Sequence, residues 1–382
     1  MNFRVRPVAR LAGTNEVPGD KSISHRAALL GALADGVTEV RGYLEAEDCL
    51  RTMTAIEALG ADVTRKAPGE FRIAGVGSRG LQEAADVIDC GNSGTTARLL
   101  LGVLGAQRFW TFLTGDASLR RRPMGRVAEP LRRMGATVVG RAEGTRLPLA
   151  VCGAERVKAL AWELPVASAQ VKSAILLAGL AADGPVTVTE PAPSRDHSER
   201  MLRQFGARVE TTGRTIRITP GPLRGTAVTV PGDISSAAFL VVAGLIVRDA
   251  QVTVRGVGLN PTRTGLLDVL SAMGARLAVA QTNAADGGEP LGTIAATTNV
   301  LTGTTVAGPL IPRLIDEVPV LAVAAALARG VTEIRDAAEL RVKESDRVAA
   351  IARELGALGA RIAERPDGLT VEGGARLRGA RV

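Results

Sequence analysis

Aromatic residues are scarce in this chain: two tryptophans, one tyrosine and six phenylalanines among 382 residues. Its cores must therefore be built from Ala, Val and Leu, and little is available to stack on bases. Lys and Arg never form a block of five or six, so the net charge of +8 is dispersed. That charge suits a small acidic substrate better than nucleic acid, and no nucleic-acid partner is expected. Histidine is limited to His25 and His197, and no His/Cys cluster has metal-ligand spacing, so no metal is expected. Three cysteines, Cys49, Cys90 and Cys152, without a C-x-x-C pair indicate reduced thiols and a cytoplasmic protein. Long apolar runs are also missing. The stretch from Val318, "VPVLAVAAALA", is too short to span a bilayer, and Arg4, Arg6 and Arg10 interrupt the start, so neither a membrane partner nor a signal peptide is expected.

What is present is a repeat. The length fits two domains, and 44 glycines with 19 prolines imply many turns. Polar, Gly- or Ser-containing starts lead into short apolar helices at Lys21, Gly91, Ser168, Asp233 and Asp316, 65 to 83 residues apart. Helices apolar nearly all round should be buried. In phase with them runs an amphipathic helix closed by glycine and followed by a β-type run, as in "EDCLRTMTAIEALGADV" and "NPTRTGLLDVLSAMGARL". Each unit reads strand, buried helix, strand, outer helix, strand, strand, an α/β repeat larger than a solenoid module. A sixth buried helix at this spacing would begin at about 381 to 399, and the chain stops at Val382, so the array is expected to be cut before its sixth unit.

The helix starts carry the chemistry. In "VPGDKSISHRAALLGALADG" Asp20 separates Gly19 from Lys21, which rules against a phosphate-cradling P-loop. Unpaired N–H groups and the helix dipole still favour an anion there. Extra donors surround these starts: Lys21, Ser22 and Arg26; Asn92, Ser93, Gly94 and Thr95; Ser168, Gln170 and Lys172. Arg122, Ser194, Arg195 and Lys343 stand before the outer helices. Each has a plainer reading. Ser22 and Ser168 would serve as N-caps, Gly94 as a turn glycine, Arg26 and Arg122 as solvated charges, and "KESDR" as a charged helix face. His25 reads as a packing or hydrogen-bonding residue.

Together, "PGDKSISHRA", "GNSGTTARLL", "RRRPMGR", "ASAQVKSAILLAGL", "SRDHSERML", "IDEVPVLAVAAA" and "LRVKESDR" resemble the EPSP synthases, from about Arg6 through Ala363. The resemblance implies an α/β protein of the enolpyruvyl transferase fold: two domains, inside-out α/β barrels built from repeated βαβαββ units. Residues 17–224 would hold repeats one to three. Residues 1–16 with 225–382 would hold the N-terminal strand and repeats four and five, an incomplete second domain, with "GPLRGT" at Gly221–Thr226 as the second crossing. It implies an enzyme of the shikimate pathway that moves the enolpyruvyl group of phosphoenolpyruvate onto shikimate 3-phosphate, with no cofactor.

By the same resemblance, shikimate 3-phosphate is held by Lys21, Ser22, Arg26, Ser168, the Ala169 backbone, Gln170, Arg195, Asp316 and Lys343. Phosphoenolpyruvate is held by Lys21, Gly94, Arg122, Gln170 and Arg347, with Asn92 and Thr95 supporting the Gly94 loop. Asp316 is the expected base for the 5-hydroxyl and Glu344 the expected acid for the methylene carbon. The family's sixth unit carries an Asp-His-Arg helix start and a later lysine that are absent here, so weak or no turnover, exposed apolar surface and a tendency to aggregate are expected; a monomer is otherwise expected. Two rival readings are a non-catalytic anion-binding remnant and a transferase acting on UDP-N-acetylglucosamine, whose Lys-Asn start and cysteine loop are missing.

Overall fold

A computed structural model describes residues 4–6, 8, 10–282, 288–343 and 345–382. Five helix pairs follow the repeat: α1 (Lys21–Leu33) and α2 (Glu47–Ala58), α3 (Gly94–Leu104) and α4 (Gly125–Arg133), α5 (Ala169–Gly179) and α6 (His197–Gln204), α7 (Ile234–Ile246) and α8 (Gly265–Ala272), α9 (Val318–Leu327) and α10 (Arg347–Ala357). The odd-numbered members are the inner helices. Four of them begin on a side chain that accepts a first-turn N–H: Asp20 from Ile23, Ser93 from Thr96, Ser168 from Val171, Asp233 from Ser235. The fifth, α9, has no side-chain cap and carries Pro319 in its first turn, where a missing N–H costs nothing.

The outer helices stop in one way. Gly60, Gly135, Gly206, Gly274 and Gly359 follow them with φ between +84° and +103°, where a Cβ would be strained. The alanine after each glycine sends its N–H back five residues, from Ala61 to Ile56 O at 3.0 Å through Ala360 to Leu355 O at 2.9 Å. This closure satisfies carbonyls that the helix leaves open.

Each pair of helices serves one sheet, whose strands take the order first, second, fourth, third. Ile88–Asp89, for example, runs parallel to Thr111–Thr114, which is antiparallel to Leu149–Cys152, itself antiparallel to Thr137–Gly140. The parallel step needs a long crossover, and in the three sheets made from one continuous stretch of chain the inner helix lies within that crossover. Two sheets take their first strand from far along the chain. Ala12–Glu16 pairs with Gln251–Gly258, and Leu223–Arg224 and Ala227–Thr229 pair with Ala34–Arg41.

The chain divides into two compact units, each with its own apolar core. The central unit takes Gly19–Val230 with residues 288 and 289, and holds three sheets and α1–α6. The terminal unit takes the described residues up to Pro18, then 231–282, 290–343 and 345–382, and holds two sheets and α7–α10. The second passage between units lies at Val230/Pro231 rather than at Gly225. The reason is the pairing of residues 223–229 with the first sheet: Gly225 is pressed so close to it that a Cβ would stand 2.3 Å from Val37 O. Residues 288 and 289 are a further excursion, unseen in the sequence pattern.

Inside the central unit α3 crosses α5 with almost no gap, since a Cβ on Gly102 would lie 2.3 Å from Ala174 O. The three cysteines are free thiols, Cys49 and Cys90 buried, and burial pushes the Cys90 thiol up to about 12. Among the described residues, no helix is long and apolar enough to cross a membrane.

Candidate active site

In the central unit, side chains tie the three inner helix starts to one another. Thr95 of α3 accepts from Gln170 Nε2 of α5 at 2.9 Å, and Gln170 Oε1 accepts from Arg98 Nη1 of α3 at 2.8 Å. Arg26 of α1 donates from Nε to Ser198 Oγ of α6 at 2.7 Å, from Nη2 to Ser173 Oγ of α5 at 2.9 Å, and from Nη1 to Ser22 O at 2.9 Å. Arg26 is only 4% exposed, which excludes its plainer reading as a solvated charge. Burial lowers its guanidinium to about 10, against opposing help from Glu199, and it remains a cation at neutral pH.

The start of α3 gathers positive charge. Arg122 donates from Nη2 to Asn92 Oδ1 at 2.8 Å, and Asn92 Nδ2 donates to Asp116 Oδ2 at 2.6 Å. The Asn92 amide and the Leu119 N–H hold the Asp116 carboxyl below its ordinary value. A Cβ on Gly94 would stand 2.9 Å from Arg98 Nη1 and 3.2 Å from Arg122 Nη1. Two guanidinium groups therefore reach the first residue of α3 because it is glycine. They lie at the helix end whose dipole is already positive, a place suited to an anion.

At the start of α1, Lys21 Nζ lies 3.2 Å from Asp48 Oδ2 and is half exposed. Behind it His25 is fully buried, its Nδ1 2.7 Å from Thr52 Oγ1, which lies 2.7 Å from Thr96 Oγ1 of α3. Burial lowers the His25 imidazole to about 3, with Lys21 and Arg26 adding to the effect and Asp48 opposing it. Folding brings ligand atoms of His25, Asp48 and Cys49 within 4.8 Å of one another, which linear spacing does not reveal. Asp48 is ion-paired with Lys21, and the two cations bearing on His25 oppose a metal ion there.

Ser168 caps α5, Ala169 opens it, and Ser194 and Arg195 stand half-buried ahead of α6. Lys172 was expected among the anion donors. It is instead 1% exposed, 2.8 Å from Glu190 and 2.7 Å from Glu199, because two buried carboxylates claim its ammonium. His197 is also buried, its Nδ1 2.6 Å from Glu289 Oε1.

In the terminal unit Asp316, Lys343 and Arg347 come together. Asp316 Oδ1 accepts from Arg347 Nη1 at 2.9 Å and lies 3.9 Å from Lys343 Nζ. All three are partly exposed. Glu344 lies outside the described residues. Next to Asp316, Glu317 is buried and accepts from Ser235 Oγ and from Arg263 Nη2, and Arg263 lies 3.6 Å from Asp233. This group holds the starts of α7 and α9 together.

Sequence reasoning missed Arg98, Ser173, Ser198, Glu190 and the Arg263–Glu317 pair. Arg98 had a signal: it stands four residues after Gly94, on the same helix face. The buried acids had none, since charge alone does not tell a core ion pair from a surface one.

A family model of EPSP synthase (3-phosphoshikimate 1-carboxyvinyltransferase) matches residues 5–382. The 3-phosphoshikimate 1-carboxyvinyltransferase of Desulforamulus reducens is 53% identical over 381 residues, covering 100% of this chain and 88% of that protein. That of Gloeobacter violaceus is 56% identical over 382 residues, covering 100% and 88%. The solved EPSP synthase of Acinetobacter baumannii superposes with a TM-score of 0.87 at 47% identity, over 96% of this chain and 82% of that one. The enolpyruvyl transferase NikO of Streptomyces tendae, at 20% identity, TM-score 0.76 and coverages of 96% and 83%, shares the fold. With its repeated α/β units, its cationic helix starts and relatives matched along its whole length, the chain belongs to the EPSP synthase family.

Proposed function

We propose that the chain carries out its family's reaction with the side chains gathered at its helix starts. That reaction moves the enolpyruvyl group of phosphoenolpyruvate onto the 5-hydroxyl of shikimate 3-phosphate and releases phosphate. One observation carries the residue assignment: Arg98 and Arg122 meet over Gly94 at the positive end of α3. Like charges gathered there are stabilised by a bound anion.

Lys21, Gly94, Arg122, Gln170 and Arg347 hold the phosphate and carboxylate of phosphoenolpyruvate. Lys21, Ser22, Arg26, Ser168, the Ala169 backbone, Gln170, Arg195, Asp316 and Lys343 hold shikimate 3-phosphate. Asp316 takes the proton of the 5-hydroxyl as its oxygen bonds to C2 of phosphoenolpyruvate, and Glu344 gives a proton to C3. The C2–O bond to phosphate then breaks, the leaving phosphate takes up the proton held by Asp316, and C3 returns its proton to Glu344 to restore the double bond. Such proton transfers each contribute about 10²–10⁴ in rate. The cations balance charge as it moves onto the leaving phosphate.

The test is steady-state phosphate release with both substrates, beside calorimetry with shikimate 3-phosphate. Release that requires both substrates, and a bound first ligand, are expected. A chain that neither binds shikimate 3-phosphate nor releases phosphate overturns the reading.

A further inference from the structure

Lys172 stands in the first turn of α5, yet its ammonium is hidden from solvent. Its Nζ lies 2.8 Å from Glu190 Oε2 and 2.7 Å from Glu199 Oε1. These glutamates bracket one stretch of chain. Glu190 ends the strand side and also accepts the Ser194 hydroxyl; Glu199 sits in the first turn of α6. One cation thus draws together both ends of the segment that presents Ser194 and Arg195.

The neighbours of the clasp grip Arg26. Ser173 follows Lys172, and Ser198 precedes Glu199. Their hydroxyls lie 2.6 Å apart and accept from Arg26 at 2.9 Å and 2.7 Å. A buried ion pair is poor evidence of stability, since apolar residues of like volume often do as well or better. The arrangement does fix, by hydrogen bonds, where the Arg26 guanidinium points, and it anchors both ends of the segment that carries Arg195.

We propose that Lys172 is a positioning residue for shikimate 3-phosphate: without touching the substrate, it sets the pose of Arg26 and Arg195 through Glu190 and Glu199. This rests on the substrate reading given above. A displacement of about 1 Å at a binding group can cost about 10²-fold.

The experiment is steady-state kinetics on the whole chain with Lys172→Met, Lys172→Arg and the charge-free triple variant Lys172→Met/Glu190→Met/Glu199→Met. Thermal unfolding is recorded for each. For Lys172→Met the KM for shikimate 3-phosphate is expected to rise about 10- to 100-fold. The KM for phosphoenolpyruvate should stay within about threefold, a split that general loss of fold does not produce. Lys172→Arg should restore most of the affinity. If Lys172→Met does not fold, the triple variant carries the test, because removing all three charges leaves no member of the Lys172–Glu190–Glu199 clasp buried without its counter-charge. A folded Lys172→Met or triple variant with unchanged KM for shikimate 3-phosphate overturns the inference, as do equal rises in both KM values. Calorimetry on the wild-type chain separates the two readings. Failure to bind shikimate 3-phosphate removes the substrate reading and this inference with it; normal binding by both wild type and Lys172→Met removes this inference alone.

Discussion

In the central unit α1 buries 11 of 13 residues, and α3 and α5 each bury 9 of 11. In the terminal unit α7 buries only 7 of 13, leaving Phe239 62% exposed, and α9 leaves Leu327 38% exposed. All five helices come from the same kind of apolar sequence. What differs is company: a helix with no polar face stays dry only if neighbours surround it, and among the described residues the central unit packs three inner helices and the terminal unit two. The units differ in chemistry as well. The central unit presents cations braced by hydroxyls and amides, whereas the terminal unit presents a carboxylate, Asp316, between Lys343 and Arg347.

The largest expected effect separates chemistry from binding. Asp316→Asn should lower kcat by about 10²–10⁴ with little change in either KM, while Arg122→Met should act chiefly on the KM for phosphoenolpyruvate. The reverse pattern in steady-state rates would break the division of labour. A core test comes next. Leu100→Ala in α3 should cost about 2–5 kcal/mol in urea unfolding. Leu327→Ala at the end of α9, 38% exposed, should cost under about 1 kcal/mol, and equal losses would deny the difference in burial.

Acid sharpens the comparison further. His25 titrates near 6.5 when unfolded and at about 3 when folded, so the unfolded chain takes up the proton first. The stability tied to its neutral form is complete above pH 6.5 and drains as pH falls toward 3, at about 1.4 kcal/mol per pH unit. His25→Gln should remove that slope from the pH dependence of unfolding. The smallest effect belongs to Phe239→Ser, expected to shift stability by less than about 0.5 kcal/mol while reducing self-association in sedimentation.

Much of the fold was readable because its signals are local. The Ser168 cap and the glycines after the outer helices act on bonds within one turn, whereas the cap of α1 is Asp20 and not Ser22, which already lies inside the helix. The second passage between units was misplaced by a few residues because β pairing is not local: nothing in "LRGTAVT" says that its partner is Ala34–Arg41. At the candidate site, Lys21, Arg122, Asp316 and Lys343 stand out by type beside a helix start. Arg26 and Lys172 look alike in the sequence, and only folding shows that hydroxyls hold the first and carboxylates the second.

The strand Ala12–Glu16 has its partner at Gln251–Gly258. A ribosome delivers the first long before the second, and Gly19–Val230 of the central unit is synthesised in between. The early strand must wait, an unpaired edge in a crowded cell, until the later one emerges. Assembly of the terminal unit is therefore a late event in the life of the nascent chain, and a holdase that shields the first twenty or so residues should raise the yield of folded protein.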